Sequence, residues 1–403
     1  MLSATTLTSV MVVLGAAAFA PWLGDVLGRW LLVPTVVLEV LLGILIGPHL
    51  LGWVRVDEAL ETISELGLAM LMFLAGYELD FRRVRGGPLR VALLTWLATV
   101  VLALLTSLVV LGPSFTAMVV GLALTTTALG AVLPMIRDRG GLGTPLGRQV
   151  LAHGAVGEFA PVVAVSLVLT STRPAHTGLL LFGFALLAAF GVWWARRPRS
   201  PRVARLMSVT LGTSVQFAVR TALLVVIGMV WAAAELGLDV LLGAFAAGIV
   251  LRSALEVGDP GDAEVVLAKL EGMGYGFLVP FFFVVSGARF DLASLMDDPL
   301  DPVWLLLFAL LLLLLRGGPV WWAAGRGRGR SLDQRGRVAL ALLSATALPL
   351  IVVITTVGVE RGALHSATAA TLVGAGVLSV LVFPLIALRV WPDERKQLSE
   401  PRQ

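Results

Sequence analysis

Residues 124–130 read LTTTALG, with three threonines and a glycine inside an otherwise apolar run. A second version of this pattern, LSATALP, occupies residues 343–349. Proline removes a backbone hydrogen bond from a helix, and glycine tolerates unusual backbone dihedral angles. The pattern therefore predicts two helices that are interrupted near their centres, and the rest of the sequence indicates what surrounds them.

The composition of the chain is that of a membrane protein. Of its 403 residues, 58% are hydrophobic and only 14% are charged, and the mean hydropathy is +0.94. Apolar runs of about 20 residues recur from end to end, and this is the length that a helix needs to cross a bilayer. Strands of a membrane barrel would be about 10 residues long and would alternate in polarity. The sequence thus predicts an all-α integral membrane protein, and the absence of cysteine excludes disulfides and thiol chemistry.

Thirteen transmembrane helices are expected within residues 1–390. Their approximate ranges are 4–24, 31–52, 60–80, 88–111, 114–136, 146–170, 177–195, 217–236, 238–254, 265–288, 303–325, 334–358 and 364–390. Residues 199–216 are interpreted as a cytoplasmic amphipathic linker. Residues 391–403 are interpreted as a short cytoplasmic tail, so no soluble regulatory domain is expected in the chain.

The basic residues predict the orientation of these spans, because Lys and Arg are retained on the cytoplasmic side. Loops that follow odd-numbered spans carry 25 of the 30 Lys and Arg residues, whereas loops that follow even-numbered spans carry four. The N-terminus is therefore expected outside and the C-terminus in the cytoplasm. The net charge of +4 is explained by these loops, and no nucleic acid partner is expected. The remaining basic residue is Arg316, in the middle of the eleventh span.

Three pairs of segments suggest an internal repeat. They are LLGILIG (41–47) with LLGAFAAG (241–248), GYELDF (76–81) with GARFDL (287–292), and LTTTALG (124–130) with LSATALP (343–349). The members of each pair are seven spans apart, and because seven is odd, they cross the membrane in opposite directions. An inverted repeat of this kind is typical of secondary transporters and places the functional site near the bilayer centre.

Four spans bring polar side chains to that depth. The candidate residues are Thr125, Thr126, Thr127 and Gly130 in span five, Glu158 in span six, Arg316 in span eleven, and Ser344, Thr346 and Pro349 in span twelve. Backbone carbonyls freed at a helix break can bind a cation, and the dipoles of the half-helices can offset charge. The alternative for the hydroxyl groups is that they bond back to their own helices.

Glu158 is the expected binding group, because a carboxylate at this depth costs roughly 2.5–3.5 kcal/mol on insertion scales and needs a reason to be there. We expect it to load either a proton or a cation, with Gly157 allowing close approach of a neighbouring backbone. The alternative is an architectural ion pair between Glu158 and Arg316. His153 is a candidate proton relay, or else a histidine that is simply hydrogen-bonded. Glu39, also inside an apolar run, is interpreted as a structural or interface residue.

The motifs LEVLLGILIGPHLLGW, ELGLAMLMFLAGYELDF, LGLDVLLGAFAAGIVL and VPFFFVVSGARFDL occur in this order, and the likeness that they carry extends over nearly all of residues 30–390. In them the chain resembles the bacterial monovalent cation:proton antiporter family 2, which contains sodium/proton antiporters and glutathione-gated potassium efflux systems. The resemblance implies a homodimer in the bacterial inner membrane, two crossed discontinuous helices, and an elevator movement. The expected core is about 60–171 and 265–390, and the expected dimerisation scaffold is about 1–58 and 217–254.

The same resemblance implies that Glu158 is the ion-binding acid, that Thr126 and Thr127 form the helix break, and that Arg316 is the supporting charge. Electrogenic members carry two adjacent acids where this chain has Gly157–Glu158, and a lysine where it has Arg316. A single titratable acid predicts electroneutral exchange of one monovalent cation for one proton, with Glu158 holding Na⁺. Na⁺ is favoured over K⁺ or Li⁺, and no cofactor is expected.

Three alternatives remain at this point. The first is K⁺/H⁺ exchange or K⁺ efflux. The second is sodium-coupled symport of an organic anion on a related fold, which would need a roomier cavity and usually two sodium sites. The third is a membrane-embedded sensor or enzyme, although the sequence shows no nucleophile–base pair and no cluster of metal ligands.

Overall fold

The computed structural model describes residues 4–28, 35–78, 87–168, 174–197, 209–210, 213, 215–257, 260–290, 301–326 and 332–391. Within these ranges every regular element is a helix, which confirms the all-α class. Most of the predicted linker 199–216 and all but the first residue of the predicted tail 391–403 lie outside the described residues.

The described residues form seventeen α-helices. In the first half of the chain they are α1 (Ala4–Gly28), α2 (Thr35–Ile46), α3 (Glu58–Glu78), α4 (Gly87–Leu111), α5 (Phe115–Ala123), α6 (Leu129–Asp138), α7 (Pro145–Val168) and α8 (Pro174–Ala195). In the second half they are α9 (Phe217–Glu235), α10 (Val240–Leu255), α11 (Pro260–Met273), α12 (Val279–Ala288), α13 (Asp301–Leu311), α14 (Gly318–Ala324), α15 (Gln334–Ala345), α16 (Pro349–Glu360) and α17 (Ser366–Val390).

Nine helical segments within the described ranges are long and apolar enough to cross a membrane. They are Ala4–Leu27, Glu58–Glu78, Gly87–Leu111, Gly178–Ala195, Phe217–Glu235, Gly261–Ala288, Pro302–Ala324, Gln334–Val359 and Ser366–Val390. The helices α2 and α10 are apolar but shorter. The chain is therefore a membrane protein, whereas the full count of thirteen spans stays a prediction.

The distribution of side chains is the reverse of that in a water-soluble protein. Large apolar side chains such as Val109, Leu179 and Leu224 are exposed, with 85%, 67% and 69% of their surface accessible. Charged groups such as Glu158 and Arg316 are instead buried, with 1% and 0% accessible. A lipid environment favours this arrangement, because it solvates apolar surface and penalises exposed charge.

Two continuous helices contain a π-helical segment, in which the backbone makes wider turns. One segment, Gly274–Leu278, joins α11 to α12, and the other, Leu312–Gly317, joins α13 to α14. A proline follows each segment closely, at Pro280 and Pro319. A proline ring clashes with the carbonyl group four residues before it, and a wider turn relieves this clash. The second segment contains Arg316, so a local widening of the helix sets the direction of that side chain.

The chain divides into two compact units. The first comprises residues 1–57, 81–165 and 283–403, and the second comprises residues 58–80 and 166–282. All of the predicted site residues belong to the first unit.

In the first unit, α2 and α12 cross through glycines. A Cβ atom placed on Gly43 would overlap the carbonyl oxygen of Val284, and one placed on Gly287 would overlap the carbonyl oxygen of Val40. The two backbones are therefore in direct contact, and this packing requires glycine because no side chain fits between them.

In the second unit, α3 and α10 cross in the same way. A Cβ atom on Gly76 would overlap the carbonyl oxygen of Phe245, and one on Gly248 would overlap that of Phe73. Arg252, near the end of α10, donates to the carbonyl of Tyr77 at the end of α3, with 2.9 Å between the atoms. The arginine thereby supplies a partner for one of the carbonyls that a helix leaves unpaired at its C-terminus.

Candidate functional site

The first helix break lies between α5 and α6, where residues 124–128 are not helical. The hydroxyl groups of Thr125 and Thr126 donate to the carbonyls of Leu122 and Ala123, each at 2.8 Å. Hydroxyls that bond back to the preceding turn compete with the helical pattern of hydrogen bonds. For these two threonines the structure thus shows the alternative arrangement that the sequence left open, and their side chains do not point across to another helix.

The second break separates α15 from α16. It covers Thr346, Ala347 and Leu348, and α16 begins at Pro349, which lacks the N–H group that a helix leaves unpaired at its start. The hydroxyl of Thr346 donates back to the carbonyl of Leu342 at 3.0 Å. Ser344 lies within α15 and Gly130 lies within α6, so these two predicted break residues flank the breaks rather than form them.

Ser379 of α17 completes the second break, and it is not among the site residues predicted from the sequence. Its hydroxyl oxygen accepts from the N–H of Ala347 at 3.0 Å and lies 2.9 Å from the carbonyl of the same residue. Because Ser379 is fully buried, it supplies hydrogen bonds that water cannot provide. The signal in the sequence is a serine in the middle of the last apolar run, which does not reveal the break that this serine faces.

The two breaks are joined by direct hydrogen bonds. The N–H of Ala128 donates to the carbonyl of Thr346 at 2.7 Å, and the hydroxyl of Thr127 donates to the carbonyl of Ser344 at 2.6 Å. Of the three consecutive threonines, only Thr127 therefore connects the two interrupted helices. The two discontinuous helices meet at their interruptions, as the paired sequence patterns predicted.

Helix α7 brings Glu158 to the first break through an effect of Pro161. A proline at position 161 has no N–H to bond the carbonyl of Gly157, four residues earlier. That carbonyl accepts instead from the backbone N–H of Thr127, with 2.9 Å between the atoms. Glu158 is the next residue and is 99% buried, with 1% of its surface accessible. The acid is thereby fixed one residue away from the point where α7 touches the break.

Arg316 adds the positive charge of the site. Its Nε donates to the hydroxyl oxygen of Thr127 at 3.0 Å, and its Nη2 donates to the carbonyl of His153 at 2.8 Å. Both acceptors are neutral oxygens. Its third nitrogen, Nη1, is buried and has no hydrogen-bond partner within the described part of the chain. The guanidinium thus connects α7 and the first break through two neutral acceptors.

Gly157 leaves the space in which this arginine lies. A Cβ atom on Gly157 would overlap the hydroxyl of Thr127 and would lie 2.5 Å from Nη2 of Arg316. The guanidinium and the threonine therefore occupy the volume that any other side chain at position 157 would need.

His153 lies one turn before Gly157 on α7 and is buried, with 1% of its surface accessible. Its Nδ1 is 2.8 Å from the carbonyl of Gln149, and since a carbonyl can only accept, Nδ1 carries the hydrogen. In a neutral imidazole, Nε2 is then an acceptor, and it has no hydrogen-bond partner among the residues for which the structure gives positions. The ring is oriented by its own helix, with one nitrogen available to a water molecule or a proton.

The oxygen atoms that could bind a cation at this site belong to a carboxylate, to hydroxyl groups and to backbone carbonyls of two interrupted helices. Interrupted helices that present carbonyls and helix termini near a buried acid are a recurring way of binding a small cation in a membrane. Residues 14–390 match the family model described as sodium/hydrogen exchanger, transmembrane.

The chain belongs to the sodium/hydrogen exchanger family. This membership confirms the predicted resemblance and confirms that the chain is a transport protein rather than an enzyme. The match covers nearly all of the described helices, including both interrupted ones.

Relatives of this exchanger include proteins from several bacteria. YjbQ of Bacillus subtilis is 27% identical over 98% of this chain and 66% of its own length, so the exchanger spans just under two thirds of it. The Na(+)/H(+) antiporter of Enterococcus hirae is 26% identical over 91% of this chain and 94% of its own length. GerN of Bacillus cereus, a Na(+)/H(+)-K(+) antiporter, is 25% identical over 70% of this chain and 71% of its own length.

The fold of the exchanger is also similar to a solved structure. This is the sodium proton antiporter MjNhaP1 from Methanocaldococcus jannaschii at pH 8, with a TM-score of 0.67 and coverage of 95% of this chain and 96% of that one. The two sequences are 16% identical, so the similarity concerns the fold alone.

Proposed function

We propose that this exchanger carries Na⁺ in one direction and H⁺ in the other, and that Glu158 binds both in turn. The observation that carries the proposal is the position of Glu158, buried in the bilayer-spanning part and one residue from the hydrogen bond that joins α7 to the first helix break. Burying a charge of this kind in a membrane protein costs free energy, and residues that carry such a charge usually serve a function. The family match supports an exchanger of these two ions.

Coupling follows from competition for one carboxylate. A proton and a sodium ion both neutralise Glu158, whereas the empty carboxylate keeps its charge. Moving a carboxylate that has bound neither ion through the hydrophobic seal costs several kcal/mol, so the loaded forms cross and the empty form does not. Exchange is strict because the two ions never occupy the site together. No cofactor is proposed.

We propose a stoichiometry of one cation for one proton. Position 157, where electrogenic members of the resembled family carry a second acid, is a glycine whose missing side chain leaves room for Arg316 and Thr127. Arginine stays charged under all accessible conditions and cannot deliver a proton. Exchange would then be driven by the pH difference, about 1.4 kcal/mol per unit. A two-proton exchanger would gain a further amount of about 2.3 kcal/mol per 100 mV of membrane potential.

We propose that the thirteen spans form an inverted repeat, and the glycine crossings support it. In the α2–α12 crossing, Gly43 meets Val284 and Gly287 meets Val40; in the α10–α3 crossing, Gly248 meets Phe73 and Gly76 meets Phe245. In all four helices the glycine lies three residues after the residue that meets the glycine of the partner helix, so the two crossings have the same residue spacing. In this comparison Gly43 corresponds to Gly248. Alignment of LLGILIG with LLGAFAAG would instead match Gly43 with Gly243, five residues earlier.

The movement that we propose is an elevator movement in a homodimer of the plasma membrane, with the N-terminus outside. Backbones in direct contact cannot slide past one another without opening a gap, because packed interiors change between discrete arrangements. Both helices of each glycine crossing therefore belong to the same moving or static body. The expected boundaries, with a core of about 60–171 and 265–390 and a scaffold of about 1–58 and 217–254, place the two helices of each crossing in different bodies. We propose that the true boundaries keep α2 with α12, and α3 with α10.

The second candidate is exchange of K⁺ for H⁺, which the name of GerN favours. Backbone and carboxylate oxygens bind either ion, so selectivity depends on the size of the loaded site rather than on the type of ligand.

The test uses purified protein in liposomes with a pH gradient that is reported by a fluorescent dye. Addition of Na⁺, Li⁺ or K⁺ should collapse the gradient, with Na⁺ effective at the lowest concentration. A preference for K⁺ would select the second candidate. Failure of all three ions to collapse the gradient in protein that is correctly folded would overturn the proposal.

A further inference from the structure

The second compact unit contains a deep groove that the exchange mechanism does not use. It has a volume of about 940 Å³ and lies between the C-terminal part of α8, the first half of α9 and the end of α10. Its wall is almost entirely apolar and includes Phe190, Phe217, Val225 and Val250. In a membrane protein such a groove is filled by hydrocarbon, because water would find no hydrogen-bond partners there.

The length of the groove along α9 is close to the thickness of one leaflet of a bilayer. Along α9 the wall runs from Phe217 to Met229, a distance of about 18 Å at about 1.5 Å per residue. The hydrocarbon core of a bilayer is about 30 Å thick, so half of it is about 15 Å. With the proposed orientation, the end of the groove near Phe217 faces the cytoplasm.

The positively charged side chain of Arg197 lies at that end. The guanidinium of Arg197 lies 3.8 Å from the ring centre of Trp193 and 5.2 Å from that of Trp194. Arg197 and Trp194 both line the groove. The arginine is exposed, and its guanidinium donates no hydrogen bond to a protein acceptor within the described residues. Stacking on the rings orients the guanidinium and leaves its donors free for a phosphate.

Arg337 shows that stacking alone does not create this arrangement. Its guanidinium lies 4.2 Å from the ring centre of Trp321, a distance close to that of Arg197 from Trp193. However, it donates to the carbonyl of Trp321 and to the side chain of Gln334, each at 3.3 Å. Arg337 therefore has partners within the protein, whereas the guanidinium of Arg197 makes no hydrogen bond to the described residues.

We propose that this groove binds one anionic phospholipid of the cytoplasmic leaflet, with an acyl chain between α8, α9 and α10 and the phosphate on Arg197. Two exposed arginines, Arg196 and Arg197, directly follow the end of α8 and make this end of the groove attractive to a negative headgroup. A zwitterionic lipid offers the same acyl chain without net charge, so the arginine selects the anionic lipid. The proposal depends on the proposed orientation and is independent of ion exchange.

Native mass spectrometry of the delipidated protein in detergent tests this proposal, with dioleoylphosphatidylglycerol and dioleoylphosphatidylcholine as probes. We expect the wild type to bind the glycerol lipid more tightly than the choline lipid. Arg197→Gln should weaken binding of the glycerol lipid about five-fold, which corresponds to about 1 kcal/mol per basic residue near a membrane surface. It should weaken binding of the choline lipid less, because the choline group of that lipid offsets the charge of its phosphate. Arg337→Gln is the matched control and should bind both lipids as the wild type does.

A second variant tests the apolar half of the site. Gly228 lines the groove, and a Cβ atom there would meet no other atom within 4 Å, so a leucine in Gly228→Leu has room to begin its side chain and reduces the space in the groove. It should reduce the binding of both lipids. Equal binding of the glycerol lipid by the wild type and Arg197→Gln would overturn the proposal. A change of oligomeric state in Gly228→Leu without any loss of lipid would also overturn it, because a second copy of the chain would then cover the groove.

Discussion

The guanidinium of Arg316 donates through Nε to the hydroxyl of Thr127, with 3.0 Å between the two atoms. The same hydroxyl donates its own hydrogen to the carbonyl of Ser344 at 2.6 Å. One side chain therefore uses its donor and its acceptor to connect the π segment, the first helix break and the end of α15. The candidate site depends on this connection, because it holds the positive charge beside α7.

Thr127→Val should destabilise the protein more than Thr126→Val does. The first change leaves Nε of Arg316 and the carbonyl of Ser344 buried without a partner, at a cost of about 2–5 kcal/mol, whereas the hydroxyl of Thr126 serves only its own helix. Thermal unfolding in detergent, followed by tryptophan fluorescence, measures the difference as a drop of several degrees in Tm. Thr127→Ser, which keeps the hydroxyl, should restore most of it. Equal Tm values for the two valine variants would contradict the role given to Thr127.

Glu158→Gln should reduce exchange to the background of empty liposomes, because an amide cannot take up a proton or neutralise a cation. The matched control is Glu39→Gln, since Glu39 is also buried in an apolar helix, with 4% of its surface accessible. Dissipation of a pH gradient by Na⁺ measures both variants. The glutamine at position 39 should leave exchange at the level of the wild type. Exchange that survives in Glu158→Gln, or is lost equally in both variants, would remove the reason for choosing Glu158.

Gly157→Ala should lower both stability and exchange, since the added methyl group would collide with Thr127 and Arg316. Overpacking of a buried site typically costs about 1–3 kcal/mol. Gly183→Ala provides the comparison, because a Cβ atom there would meet nothing within 4 Å and alanine favours a helix by about 1 kcal/mol over glycine. We expect the Tm to fall in the first variant and to stay level or rise in the second. A Gly157→Ala protein that is as stable and as active as the wild type would show that the site is more loosely packed than described.

The membrane potential should not affect the exchange equilibrium in the wild type or in Arg316→Lys. One acid exchanges one charge for one charge, and lysine adds no second acid. The variant should nevertheless lose stability, because the single nitrogen of lysine cannot reach both Thr127 and the carbonyl of His153 as the guanidinium does. Liposomes with a clamped potential measure the equilibrium at 0 and 100 mV. A shift that corresponds to about 2.3 kcal/mol would establish electrogenic exchange instead.

The sequence predicted the parts of this fold that depend on composition and on helix-breaking residues. The apolar runs predicted the helices, and the two matching patterns at 124–130 and 343–349 predicted both interruptions. Pro349 gave the start of α16 directly, because a proline is well suited to the first turn of a helix. Glu158 was conspicuous because an acid in an apolar run is costly, whatever the fold around it.

Other features depend on which side chains meet in three dimensions, and the sequence could not predict them. Three adjacent threonines look alike, yet only Thr127 points across to the second break. Ser379 became identifiable only once α17 was seen beside the second break. Pro161 was visible in the sequence, but its effect on the carbonyl of Gly157 requires the partner that takes up that carbonyl. These hydrogen bonds depend on which groups the fold brings together, and the type of residue alone does not determine this.

The π segment Leu312–Gly317 makes the length of the leucine run before Arg316 as important as its composition. Removing a single leucine would restore ordinary α-helical turns without changing the polarity of the helix. The helix on either side would stay in register, because a π segment accommodates one extra residue. Arg316 lies within the widened turn, so its guanidinium would change direction relative to Thr127. Substitutions among these leucines should be well tolerated, whereas insertions and deletions should not. Related sequences that lack the widened turn should therefore be aligned with a one-residue gap at this place.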